Sequence, residues 1–194
     1  MNRPLILWDI DDVLNDLTRI CAEKVLPLRH AGVRWQDFRH NPPLDELHCS
    51  REEYVAQLDH CREIFTREMM PQPEVLEFFQ TDGNKFRSIA LSAAPMTMAP
   101  LSAEWVLRYF GKWIQMVVFV PSPRPGYEIE SAMFSNKAEA VEMLGGVLVD
   151  DAPGNIEAVR RAGGRALAFP APWNENKNMD KKEFFTLLLK EIGC

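Results

Sequence analysis

Residues 5–16 read LILWDIDDVLND. An apolar run from Leu5 to Trp8 ends abruptly in charge, and Asp9, Asp11, Asp12 and Asp16 follow at once. A short run that is apolar throughout and bounded by polar residues reads as a strand buried on both faces, the habit of a parallel sheet. Carboxylates crowded this closely repel, and crowding raises their pKa unless a cation sits among them. The stretch therefore predicts a buried strand whose acidic end has work for a cation.

Four more runs have the same look, at residues 88–91, 116–120, 147–149 and 166–169. Most are separated by helical patterns, at 73–80, 102–110, 137–144 and 155–162, with a last one over 181–192. Gly111, Gly145-Gly146 and Gly163-Gly164 follow three of them as stop signals. Phe184, Phe185, Leu188, Leu189 and Ile192 recur at spacings of three and four on the last. Buried strands alternating with amphipathic helices give an α/β fold with a parallel sheet covered on both faces and right-handed crossovers.

The stretch 15–70 breaks the rhythm, because it holds no good strand. Leu17, Cys21 and Val25 form one helical stripe. Ser50-Arg51-Glu52-Glu53 is a capping box opening a helix with Tyr54, Leu58, Cys61 and Phe65 on one face, and Pro71 closes it. The expected organisation is a core of residues 1–14 and 71–194 with a small helical insertion, 15–70, after the first strand.

Composition narrows the function. The chain has 194 residues, 46% of them hydrophobic, enough for one domain with a sizeable core. A net charge of −6 argues against a nucleic-acid polymer or an anionic membrane as partner, but not against a small phosphorylated molecule. No apolar stretch approaches a membrane span, and the run before Asp9 is too short for a signal peptide. Cys21, Cys49, Cys61 and Cys194 are scattered without a CxxC, which predicts reduced thiols in a cytoplasmic protein. The pairs His48-Cys49 and His60-Cys61 match no common zinc spacing.

The polar residues at the strand ends carry the chemistry. They are Asp9 and Asp11 after the first strand, Ser92 after the second, and Asp150-Asp151 after "GGVLV", with Lys137 opening a helix and Asn155 close behind. A parallel sheet puts such ends on one edge. Several carboxylates and one lysine are not stable together in a dry cleft. A Mg²⁺ ion resolves this, since it takes oxygen ligands and is commonly held by one or two carboxylates together with a substrate phosphate.

At this point the residues resemble a family. "WDIDDVL" is similar to motif I of the haloacid dehalogenase superfamily, Ser92 to its motif II, Lys137 to its motif III and "VLVDDAPGN" to its motif IV, in the family's order. The resemblance implies a Rossmann-like parallel sheet of order 3-2-1-4-5 with a cap inserted after motif I. It implies that Asp9 is a nucleophile forming an aspartyl-phosphate, and that Asp11 is the acid and base whose carbonyl also binds Mg²⁺. Ser92, Ala93 and Lys137 would hold the phosphoryl group. Asp9, Asp11 and Asp151 would bind the metal directly, Asp150 through water, with Asn155 orienting Asp151 or Lys137. The acid at Asp11 selects the phosphatase branch over the dehalogenases. A narrower resemblance, to 5′(3′)-deoxyribonucleotidase-like members, rests on "DIDDVLND" and "FPAPWNEN" and departs at "LSAAP", where those members have a Thr-Ser pair. It implies a 5′-nucleotidase; Trp35, Phe38 and Trp173 are the candidates for stacking on a base, while burial preference favours Trp35, Phe38 and Phe65 as core of the helical insertion. The expectation is a Mg²⁺-dependent phosphomonoester hydrolase acting on a small phosphorylated metabolite. The alternatives are a phosphoacceptor signalling module and a non-catalytic binding protein of the same fold.

Overall fold

The computed structural model describes residues 3–25, 32–122, 124 and 131–194. Five parallel strands form one sheet: β1 (Leu5–Trp8), β2 (Arg87–Ser92), β3 (Ile114–Phe119), β4 (Val147–Asp150) and β5 (Arg165–Ala168). Their order is β3-β2-β1-β4-β5, so β1 is central. The chain order reverses on either side of β1, which puts a crevice at the carboxyl end of that strand.

Side-chain alternation along β1 builds two cores. Ile6 and Trp8 face one layer, with Phe79, Trp105, Phe110 and Phe184. It belongs to α4 (Pro73–Asp82), α5 (Ala99–Phe110) and α8 (Lys181–Glu191). Leu7 faces the other, with Val141, Leu148, Ile156 and Val159 from β4, α6 (Lys137–Leu144) and α7 (Pro153–Arg161). Trp8 is fully buried, packs on Phe79 at 5.0 Å, and satisfies its indole by donating to Ser88 Oγ at 3.2 Å. Gly146 sets how closely α6 can return to β1: its φ is +98°, and a Cβ there would lie 2.5 Å from the Leu5 carbonyl.

The strand at 116–120 was expected to be buried on both faces, and it is not. β3 is the sheet edge, begins at Ile114, and leaves Met116 53% exposed. An edge strand has one paired neighbour and less cover, so an apolar run there does not imply burial. Of the irregular, proline-rich stretch 121–126, residues 123, 125 and 126 lie outside the described residues, as does Tyr127.

Between β1 and α4 lie α1 (Leu17–Lys24), α2 (Leu44–Leu47) and α3 (Arg51–Phe65). The capping box is present: Glu53 N donates to Ser50 Oγ at 3.2 Å, and Ser50 N to Glu53 Oε2 at 2.8 Å. These helices have their own apolar cluster, including Leu17, Phe38, Leu47, Tyr54 and Cys61, joined by Ala171 and Trp173 from beyond β5. Here the reading of four reduced cysteines fails. Cys21 and Cys61 are disulfide-bonded across α1 and α3, with Cα atoms 5.8 Å apart, while Cys49 and Cys194 are free. The two cysteines lie 40 residues apart in sequence, so only the packing of the two helices brings them together. Among the described residues, no helix is long and apolar enough to cross a membrane.

Candidate active site

The carboxyl ends of β1, β2 and β4 deliver polar residues to the same edge, and α6 adds a lysine. Asp9 follows β1 directly; its N–H continues the ladder to the Val149 carbonyl at 2.9 Å, and its Oδ1 accepts from Ile10 N at 2.8 Å. A wide turn over residues 10–14 then reverses the chain, with Asp12 at φ 62°, a left-handed conformation that aspartate tolerates better than most residues. Asn15 staples the turn, accepting from Asp12 N at 3.3 Å and Leu17 N at 3.0 Å and donating to Asp11 Oδ1 at 3.2 Å. Ser92 closes β2, and its Oγ accepts from Ala94 N at 3.0 Å. Lys137 is the first residue of α6, a position held by Asn136, whose Oδ1 accepts from Glu139 N at 3.0 Å.

Lys137 is the hub. It is buried, and its Nζ lies 2.7 Å from Asp9 Oδ1 and 2.7 Å from Asp150 Oδ2. Asp150 is fully buried and saturated: Oδ1 also takes Ala152 N at 2.9 Å, and Asn155 Nδ2 reaches both oxygens at 3.1 Å. Asn155 therefore grips Asp150, rather than Asp151 or Lys137 as the family resemblance implied. Asp150 in turn positions the lysine.

The acid cluster fits a hard cation. Asp9, Asp150 and Asp151 each offer an oxygen, and these atoms lie within 4.8 Å of one another. Oxygen donors only, without histidine or thiolate, suit Mg²⁺. Asp150 has its oxygens committed to N–H donors, which leaves Asp9 and Asp151 as the carboxylates available for direct ligation. Asp151 Oδ2 accepts from Asn41 Nδ2 at 2.9 Å and from Trp173 Nε1 at 3.0 Å.

Burial dominates the electrostatics. It pushes the Asp9 carboxyl up to about 7, with Lys137 opposing it and Asp150 and Asp11 adding to it. Asp12 rises to about 8 through burial, although Thr18 donates to both of its oxygens. Asp151 is raised by burial and by its neighbours Asp12, Asp150 and Asp9. Burial works against the Lys137 charge, but Asp150 and Asp9 outweigh it and raise its pKa. A cleft that protonates its own carboxylates has more acid than its one buried lysine can balance.

The edge opens into a cavity of about 120 Å³. Asp9, Asp11, Ser92, Ala93, Lys137 and Asp151 all line it, so the expected residues of four separate elements share one wall. Trp173 does not line it; its ring is buried and reaches the site through the Asp151 carboxylate. Phe38 is buried in the helical cluster, and Trp35 meets Trp173 edge-on at 6.3 Å. Asn41, Tyr54, Leu58 and Arg62 also line the cavity, of which sequence reasoning named only Tyr54 and Leu58, as part of one helix face. Arg62 is 7% exposed, and its Nε donates to Asp11 Oδ2 at 2.9 Å. A signal was present: Tyr54, Leu58 and Arg62 are spaced by four along α3, so an arginine continues an otherwise apolar stripe.

No protein-family model matches the sequence, and no curated protein is similar enough to match. Solved structures do match. A haloacid dehalogenase-like hydrolase from Streptococcus pneumoniae superposes with a TM-score of 0.60 at 12% identity, covering 95% of this chain and 98% of the other. A haloacid dehalogenase-superfamily hydrolase of subfamily IA from Geobacter sulfurreducens gives 0.52 at 13% identity, covering 95% and 96%. A predicted phosphatase from Clostridium acetobutylicum gives 0.55 at 12% identity, covering 100% and 92%. Likeness over whole chains at such low identity defines the fold: the chain is a Rossmann-like α/β protein with the haloacid dehalogenase-like architecture.

Proposed function

We propose that the chain is a Mg²⁺-dependent phosphomonoester hydrolase working through an aspartyl-phosphate on Asp9. The observation that carries this reading is the Asp9–Lys137–Asp150 chain, with both Nζ distances at 2.7 Å, set beside Ser92 and Asp151 on one small cavity. A phosphoryl group there would meet the Lys137 ammonium, the Ser92 hydroxyl and backbone from Ala93, while an Asp9 oxygen attacks phosphorus. The Asp9–phosphorus bond forms as the ester P–O bond breaks, and Asp11 gives its proton to the leaving oxygen. Asp11 then takes a proton from water, whose oxygen attacks phosphorus and releases the Asp9 carboxylate and inorganic phosphate. Mg²⁺, held by Asp9, Asp151 and the Asp11 carbonyl, would supply the positive charge that offsets the carboxylates and the phosphoryl oxygens.

The cavity volume supports a small leaving group. Drug-sized ligands occupy pockets of roughly 300–1,000 Å³, and about 120 Å³ leaves little room for a nucleoside beside a phosphate. The aromatic residue on its wall among the described residues is Tyr54, and none of the stacking candidates Trp35, Phe38 and Trp173 lines it. We therefore favour a small phosphate ester beneath a helical cap made of α1–α3 over a nucleoside monophosphate. Phosphate release from a panel of aliphatic, sugar, nucleotide and aryl monoesters tests this, with and without chelator. Turnover by the Asp9→Asn variant, or full activity in excess chelator, would overturn the mechanism.

A further inference from the structure

The Arg62 guanidinium is a charged part of the cavity wall that the phosphoryl chemistry leaves without a task. It is carried by α3, whereas Lys137 comes from α6, and it is buried to 7% exposure. A buried guanidinium is costly unless acceptors meet it. Two acids do so in part: Nε donates to Asp11 Oδ2 at 2.9 Å, and Nη1 to Asp59 Oδ1. Its Nη2 has no acceptor among the described residues.

Asp59 is itself shared. Arg124 grips it with two donors, Nε to Oδ2 at 2.6 Å and Nη2 to Oδ1 at 3.1 Å. Asp59 therefore spends much of its charge on Arg124, and the balancing charge for Arg62 comes mainly from Asp11. Asp11 is also the residue that the proposed reaction needs to face the leaving oxygen. An acceptor supplied by the substrate would let Arg62 exchange one carboxylate for another without leaving any charge unpaired. A neutral leaving group offers no such exchange.

Resting on the phosphatase reading, we propose that Arg62 receives a second anionic group on the substrate, so that the molecule cleaved is a short phosphorylated carboxylic acid. The fork of donors matches a carboxylate, which can take two parallel N–H bonds from one guanidinium. The cavity of about 120 Å³ holds such a molecule to a few heavy atoms between phosphorus and carboxylate. Leu58 and Tyr54, one and two turns before Arg62 on α3, line the wall beside it, so the space between the two charged ends is partly apolar.

Calorimetry with two hydrolysis-resistant probes in the presence of Mg²⁺ tests the subsite without requiring turnover. 3-Phosphonopropionate and propylphosphonate share length and phosphonate but differ in the terminal carboxylate. The wild-type protein is expected to bind the first at least about tenfold more tightly, the scale of one charge-assisted contact. In Arg62→Gln that preference should fall below about threefold. Equal affinity of the two probes for the wild-type protein overturns the proposal, whether or not the variant folds. Hydrolysis of carboxymethyl phosphate against ethyl phosphate separates this from the parent reading. If both esters are cleaved with equal kcat/KM, the subsite falls and the phosphatase stands. If the carboxylate probe binds selectively but no ester is cleaved, the subsite stands and the phosphatase falls.

Discussion

The sheet edge and the helical segment above it are built on different principles. At the sheet edge, Asp9, Ser92 and Asp150 are held by the strands themselves, and every Asp150 oxygen has N–H partners. Their placement follows from parallel pairing, which leaves little freedom at a strand end. Over the segment 15–70, side chains reach the cavity from helices whose packing depends on one another and on a disulfide. Asn41 meets Asp151 across 110 residues of sequence, and Arg62 meets Asp11 across 51. On the proposed phosphatase reading, the first region would serve chemistry common to all phosphate esters and the second the choice among them. Changes at the edge should therefore abolish turnover of every substrate, while changes above it should alter stability or selectivity.

The strongest test of that division is at Asp9. Asp9→Asn removes the attacking oxygen and should lower kcat for all esters by at least about a thousandfold. Asp11→Asn keeps the nucleophile and loses the proton donor, so its loss should lie at about 10²–10⁴-fold for alkyl esters. It should be much smaller for an aryl phosphate such as p-nitrophenyl phosphate, whose leaving group needs no proton. Equal losses on alkyl and aryl esters would remove Asp11 from the acid role.

Stability tests come next in size. Lys137→Met leaves Asp9 and Asp150 buried without their cation, and uncompensated buried charge costs about 3–5 kcal/mol. Urea melts should show it. Opening the Cys21–Cys61 bond acts on the other region. The double serine variant should lose about 2–4 kcal/mol in the same melts, the usual range for a cross-link closing a loop of this kind. If it folds, its kcat on p-nitrophenyl phosphate should stay near that of the parent, because no strand-end residue is touched. A collapse of kcat in the folded variant would show that the two regions are not separable.

The same contrast governs what could be read in advance. All five strands were legible, since each is a short apolar run ended by a polar residue or a turn, and β1 matches residue for residue. Ser92 and Asp150-Asp151 were legible because strand ends mark themselves where an apolar run stops, and Lys137, which opens α6, was legible through the family resemblance. Arg62 and Asn41 were not, and neither was the role of Trp173 as a donor to Asp151. Each gains its role from a partner 51 to 110 residues or 22 residues away, and no local pattern encodes such a pairing. The single stripe read through Tyr54, Leu58, Cys61 and Phe65 hid a division: Tyr54 and Leu58 line the cavity, while Cys61 bonds to Cys21.

The smallest expected effect couples pH to the cation. Asp9 and Asp12 hold their protons more tightly in the folded chain, up to about 7 and about 8, against 3.8 for an ordinary aspartate, chiefly through burial. A carboxyl with a raised folded pKa stabilises the fold fully below its unfolded pKa and loses that contribution as pH rises through the folded value. Lys137 does not alter the sign in this window, because its raised pKa keeps it charged in the fold, and an unfolded lysine is charged here too. Chelated protein should therefore melt lower at pH 8 than at pH 5. Mg²⁺ binds the ionised carboxylates and displaces protons, so it should stabilise more at pH 8 than at pH 5. A difference of about 1 kcal/mol between the two pH values would appear as about 2–4 °C in the Mg²⁺-induced rise of Tm. Helices α1–α3 contribute none of the proposed metal ligands, so the double serine variant should keep that pH-dependent increment even as its overall Tm drops. Loss of the increment along with the disulfide would mean that the acid cluster takes its shape from the helical segment rather than from the sheet.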